Sequence, residues 1–404
     1  MTEKLAPRTL PRRPWYVPMT ARDTGEPHRT ATPLELLFDL CFVVAVAQAA
    51  AKLHHHVADN DLSHGILSYL LVFFAIWWAW MSFTWFASAY DSDDVPYRLT
   101  TLLQIGGALV MAAGIPRAFE QNDLGIVTLG YVLMRLAMVI QWLRAARTDP
   151  GHRSTALWFA AGITIVQLGW VARLALPEDW FVPGVLVLIA ADLAVPAWAE
   201  RAGPTSWHPG HIAERYGLFT VIVLGETILA ATFAIQAALD TGHGDAALLS
   251  LAAAGLVIVF SMWWLYFDRP ADDLLTSLRT AMTWGYGHYL VFCSAAAVGA
   301  GLAVSVDYDL HEAHVGSLAA GYATAVPVAV FLLSVWVLHV WPHQCGPIRV
   351  AFPVTAVLVL VTPFGPAPIH VIAVLLAALV VTVVLVGGRG VDRPSGVDRA
   401  RPSD

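Results

Sequence analysis

Twelve long apolar runs dominate the chain, most of them close to the ~20 residues that carry a helix across a bilayer. They fall near 34–53, 65–88, 98–116, 124–144, 155–175 and 181–199, then 214–236, 246–267, 282–305, 316–339, 348–363 and 368–387. Composition agrees: hydrophobic residues make up 57% and charged residues 13%, whereas soluble domains carry about 25% charged. Sixteen tryptophans fit the same environment, because indole concentrates at bilayer interfaces. The connections are short and leave no room for a soluble domain. The expected fold class is an all-α polytopic membrane protein with about twelve transmembrane helices. The run 348–363, short and flanked by Pro347 and Pro363, is expected to kink or re-enter.

Placement of Lys and Arg supports an even count. With the N-terminus in the cytosol, only Lys52, Arg117 and Arg173 fall outside and Arg135 lies within a span. The remaining basic residues, out of 23, fall inside, as the positive-inside rule requires. Residues 1–33 are polar and rich in Arg and Pro, without the apolar core of a cleaved signal. They are expected to be a disordered cytosolic tail, as are residues 388–404. The net charge of −7, with no basic stripe, makes nucleic acid an unexpected partner. Cys41 and Cys293 lie in apolar runs and Cys345 in a short loop, which gives no disulfide framework.

Polar marks recur in order along the two halves. Glu35 opens the first span and Glu214 the seventh. Trp77-Trp78 and Trp263-Trp264 mark the spans that follow. Each of those exits into an acidic loop that ends in a base: Asp91, Asp93 and Asp94 with Arg98, then Asp268, Asp272 and Asp273 with Arg279. Apolar helices resemble one another by composition alone, but an ordered set of polar marks favours duplication. The halves would then be 34–200 and 201–387, related as a parallel repeat with six spans each. The two acidic loops would act as cytosolic latches.

Ionisable groups within spans are costly and point to function. Glu35 and Asp39 share one helix face, with Gln48 deeper on the same span. Arg135, Asp192, Glu214, Glu226 and His288 complete the candidate intramembrane polar site. Glu35 and Glu214 can equally complement a helix dipole from the first turn. Arg135 can pair structurally with Asp39 or Asp192. Glu226, well inside VLGETIL beside Gly225, is the hardest to dismiss. His288 also reads as a satisfied interface histidine.

The outer loops collect His54, His55, His56, Asp59, Asp61 and His64 in one place. Asp307, Asp309, His311, Glu312 and His314 gather in another. Imidazole with carboxylate suits divalent transition metals, but a solvated polar loop accounts for the same residues. No metal is expected, with His54, His55, His56 and His64 as the alternative. No HExxH, Walker or GxSxG pattern is present, and no cofactor is expected.

The segments TPLELLFDLCFVVAVAQ, WWAWMSFTWFASAYDSDDVPYR, ERYGLFTVIVLGETI, WWLYFDRPADD and GYGH resemble the bacterial low temperature requirement protein A family. Their order covers roughly residues 30 to 385. Ser88-Ala89 stands where that pattern has Asn-Arg before the acidic loop. The resemblance implies a multi-pass protein of the bacterial cytoplasmic membrane. It brings with it no substrate, reaction or catalytic residue.

Three functions fit these observations. A proton- or ion-coupled secondary transporter would use Glu226, Asp39 and Glu35 to bind a proton, small ion or solute, with Arg135 as counter-charge. A membrane-embedded enzyme acting on a lipid or lipid-linked substrate would use His288 and nearby carboxylates. A sensor or scaffold of membrane state would need only the bilayer as partner.

Overall fold

The computed structural model describes residues 14–23, 25–26, 29–240, 246–342 and 346–391. Among these there is no strand. Twelve α-helices follow one another: α1 Pro33–Ala58, α2 Leu62–Ala89, α3 Val95–Gln121, α4 Gly125–Thr148, α5 Arg153–Arg173 and α6 Phe181–Ala199. The second set is α7 Pro209–Asp240, α8 Ala246–Phe267, α9 Leu278–Asp309, α10 Ser317–Val335, α11 Pro347–Val361 and α12 Pro368–Val391. Among the described residues, eleven are long and apolar enough to cross a membrane, all but α7. α7 is continuous over 32 residues. The short run at 348–363 is helical as Pro347–Val361 and closes with a tight turn through Phe364. Pro347 stands at its first turn, where the missing N–H costs nothing.

The chain divides into two compact units. Unit 1 holds the residues up to Ala45 and Ala75–Ile212; unit 2 holds Val46–Phe74 and everything from Ala213. α1 and α2 therefore each contribute to both.

Within unit 1, α3 and α4 pack most intimately because both backbones are bare at the crossing. A Cβ on Gly130 would lie 2.4 Å from the Met111 amide nitrogen and 2.5 Å from the Gly107 carbonyl oxygen, the small-residue packing typical of membrane helices. α4 and α5 meet through Trp142 and Phe159, stacked at 4.2 Å. In unit 2, α9 is deeply enclosed and packs against both α10 and α7.

The N-terminal segment departs from the expected tail. Residues up to Arg13 lie outside the described residues, but much of 14–32 runs as an extended strap in unit 1. The Val17 amide donates to Asp94 (2.7 Å), and Arg144 donates back to the Val17 carbonyl (2.8 Å). Met19 exchanges two hydrogen bonds with Thr148, and Ala21 donates to Asp149. Arg22 donates to the Ala89 carbonyl, and Arg29 to the carbonyls of Ala87 and Ser88. These are the orphan carbonyls and polar side chains that helix ends leave unmet. A segment with no apolar period can satisfy them as well as water does. At the other end, α12 runs to Val391, so residues 388–391 are helical. Residues 392–404 lie outside the described residues.

Candidate functional site

Unit 1 carries a buried charge cluster where α1 begins. Thr32 and Glu35 form a capping box: the Glu35 amide donates to Thr32 Oγ1 (3.3 Å) and the Thr32 amide donates to Glu35 Oε2 (2.7 Å). The other oxygen, Oε1, lies 3.1 Å from His211 Nε2 and 3.8 Å from Arg29. Glu35 and His211 are fully buried. Arg29 also lies 3.9 Å from Asp91, which Arg22 approaches at 3.3 Å. Burial pulls the Arg29 guanidinium below its usual range, against the opposing pull of Glu35. Burial, with Glu35 nearby, pushes Asp91 above the usual carboxylate range despite Arg29 and Arg22. One oxygen of Glu35 thus caps the first turn of α1, and the other faces His211 and Arg29.

Beside this cluster, Asp94 caps α3 by accepting from the Tyr97 amide (2.9 Å) and pairs with Arg144. Burial alone would raise its carboxyl. Arg144 and the Val17 and Tyr97 amides outweigh it and hold Asp94 below its ordinary range. Asp93 takes Arg98 at 2.8 and 3.1 Å. The second acidic loop is different: Asp268, Asp272, Asp273 and Arg279 are exposed. Among the described residues, Asp268 pairs with neighbouring Arg269 at 3.6 Å and no ion pair reaches Arg279.

Deeper in unit 1, tryptophans act as donors. Trp80 Nε1 donates to Asp39 (2.7 Å). Asp192 accepts from Trp78 (3.0 Å), Trp170 (2.8 Å) and Tyr131 (3.1 Å), with Arg135 at 3.5 Å. Arg135 also donates to Ser82 and Tyr131. Arg135 therefore pairs with Asp192, in a cage that satisfies both carboxylate oxygens. Such a pair positions helices. Composition alone marks the indoles as interface residues; the signal for their role as donors is an Asp in a span of a tryptophan-rich chain.

Unit 2 holds a cavity of about 340 Å³ lined from α1, α7 and α9, with Glu226, Thr227, His54, His55 and Asp307 as its polar residues. His54 Nε2 meets Asp307 Oδ2 at 2.6 Å, and His55 stacks on His54. Glu226 is half-buried. Thr227 ties α7 to α9 by donating to the Ala295 carbonyl (3.0 Å). Gln48, by contrast, is exposed on α1. Glu214 is intermediate in exposure and Arg215 fully buried.

His288 is buried in unit 2 with both ring nitrogens engaged, by the Tyr266 hydroxyl (2.9 Å) and the Trp284 carbonyl (2.8 Å). Its ring lies 5.7 Å from His339. His339, which sequence reading did not single out, sits in a π-helical turn, Trp336–Val340, that ends α10. Such turns re-aim side chains. Its Nε2 has no hydrogen-bond partner among the described residues. It borders a cavity of about 20 Å³, room for one water, with Tyr266, Asp268 and Arg269.

Helices of membrane-crossing length, short connections and carboxylates held inside the bundle define a multi-pass helical membrane protein. Comparison with protein families places it further. The model of the bacterial low temperature requirement A protein matches residues 30–387, and the chain belongs to that family. It is also similar to the uncharacterized protein RA0937 of Rhizobium meliloti strain 1021, 29% identical over 298 residues, 69% of each chain.

Proposed function

We propose that the protein is a proton- or cation-coupled transporter of the bacterial cytoplasmic membrane, with α7 as a twelfth span and both termini cytosolic. The observation that carries this reading is the unit 2 cavity. A carboxyl, Glu226, and a His54–Asp307 pair line a chamber large enough for a small solute. Ionisable groups in such a place bind and release protons or cations. The chamber's alanines and glycine keep its walls apolar. The two sets of polar marks fit an ancestral duplication into 34–200 and 201–387, and the loop Asp91–Arg98 fits a cytosolic latch. The enzyme reading draws no support from His288, whose two nitrogens are both engaged.

Because the solute is not identified, the test uses the proton as probe. Protein reconstituted on a solid-supported membrane and given a pH jump should produce a transient current as its site titrates. In Glu226→Gln the displaced charge should fall by about tenfold. A current of wild-type size in that variant would overturn the role of Glu226.

A further inference from the structure

The α1–α2 connection in unit 2 is a tightly wound hairpin. α1 ends in a Schellman motif: Asn60 takes the left-handed conformation (φ 62°), its amide donates to Val57, and the Asp61 amide donates back to His56. α2 then starts at once, with the Gly65 amide bonded to the Asp61 carbonyl. This places His56 in the last turn of α1, Asp61 at the junction and His64 in the first turn of α2.

The three side chains converge. One ligand atom from each lies within 4.8 Å of the other two. His56 Nδ1 is 3.1 Å from Asp61 Oδ2, and the rings of His56 and His64 are 5.2 Å apart. Residue 65 explains how α2 comes so near: a Cβ there would stand 2.6 Å from His56 Cβ, so only glycine permits the approach. A tetrahedral zinc centre with bonds of about 2.0–2.1 Å holds its ligand atoms roughly 3.4 Å apart, within reach of small side-chain rotations here. The three consecutive histidines divide between two places. His54 and His55 line the Glu226 cavity, while His56 turns to Asp61 and His64.

We infer that His56, Asp61 and His64 form a binding site for a divalent first-row transition ion of the zinc type. Two imidazoles with one carboxylate select such ions over magnesium or calcium, which prefer oxygen alone. Three protein ligands leave at least one position for water. The ligands sit on helix ends fixed by backbone hydrogen bonds, so the site is largely preorganised and the ion clamps the hairpin. α1 is about 39 Å long, enough to cross the hydrocarbon core of a bilayer. An N-terminus in the cytosol therefore puts the site at the outer face, open to ions from outside.

The test is calorimetric titration of the tag-free full-length protein in detergent with Zn²⁺, with Co²⁺ as the spectroscopic probe of coordination. One Zn²⁺ per chain is expected, together with a higher melting temperature. His56→Ala and His64→Ala should each weaken binding at least about tenfold, and Asp61→Asn, which keeps the turn's shape, by a similar factor. His54→Ala should leave affinity and the Co²⁺ spectrum unchanged. Variants are compared only as monodisperse protein with a cooperative melt, and Asp61→Asn serves as the deciding variant where the alanines do not meet that standard. Absence of Zn²⁺ binding, unaltered binding in Asp61→Asn, or equal weakening by His54→Ala would overturn the assignment.

Discussion

In unit 1, the loop Asp91–Asp94 lies beneath the strap: Asp94 is buried against Arg144 and the Val17 amide, and Asp91 sits beside Arg22 and Arg29. In unit 2, the loop Asp268–Asp273 likewise carries three aspartates, yet its four charged residues, Asp268, Arg269, Asp272 and Asp273, are exposed. The tryptophan pairs diverge in the same way. Trp77 and Trp78 are 2% and 3% exposed, and Trp263 and Trp264 are 46% and 45% exposed. Trp78 serves as an internal donor in unit 1, whereas Trp263 and Trp264 stand on an exposed face of unit 2. What separates the loops is a covering segment, which the strap supplies in unit 1. Trp78 in addition has a carboxylate, Asp192, within hydrogen-bonding reach.

The sharpest way to break this comparison is to remove one base beside each loop: Arg144, which pairs with Asp94 from α4, and Arg279, which follows the second loop. Arg144→Ala leaves Asp94 buried and unpaired and should destabilise the protein by about 3 kcal/mol, whereas Arg279→Ala should cost under about 0.5 kcal/mol. Denaturation of both variants in the same detergent checks it, and equal losses would erase the distinction between the loops. Next in size are the tryptophans. Trp78→Phe removes a donor from buried Asp192 and should cost about 1–3 kcal/mol, with Trp263→Phe within about 0.5 kcal/mol of wild type.

The smallest expected effect is a pH dependence confined to unit 1. Asp94 has a native pKa below its ordinary value. Its contribution is therefore present above the unfolded value of about 3.9 and is lost as pH falls through the native one. Asp94→Asn should be less stable than wild type at neutral pH, and the gap should narrow as pH drops below about 4. Acid titration of the unfolding midpoint reads this directly. A gap that widens on acidification would show that Asp94 is not held as a carboxylate.

How much of this could be read from the chain follows from which forces are local. The helices were legible because the bilayer demands a run of apolar residues of fixed length, and the sequence spells such runs out. The capping box was partly legible in Thr32-Pro33-Leu34-Glu35. The strap was not: Val17, Met19 and Ala21 bond to residues far along the chain, and no periodicity announces a segment that satisfies other elements' helix ends. Nor could residue identity tell Trp78 from Trp263, since exposure belongs to neighbours that only the fold assembles. His339 stayed hidden because a π-helical turn, rather than the residue type, brings it beside His288.

The strap also constrains how the protein is made. Met19 leaves the ribosome early, and its partner Thr148 follows 129 residues later. At about 5–20 residues per second, that is a wait on the order of ten seconds. During it, Asp94 has the Val17 amide within its reach but lacks Arg144, its ion-pair partner. Unit 1 cannot close until α4 has been threaded, so completion of its fourth helix, and not the appearance of its first, marks when this end of the molecule becomes secure.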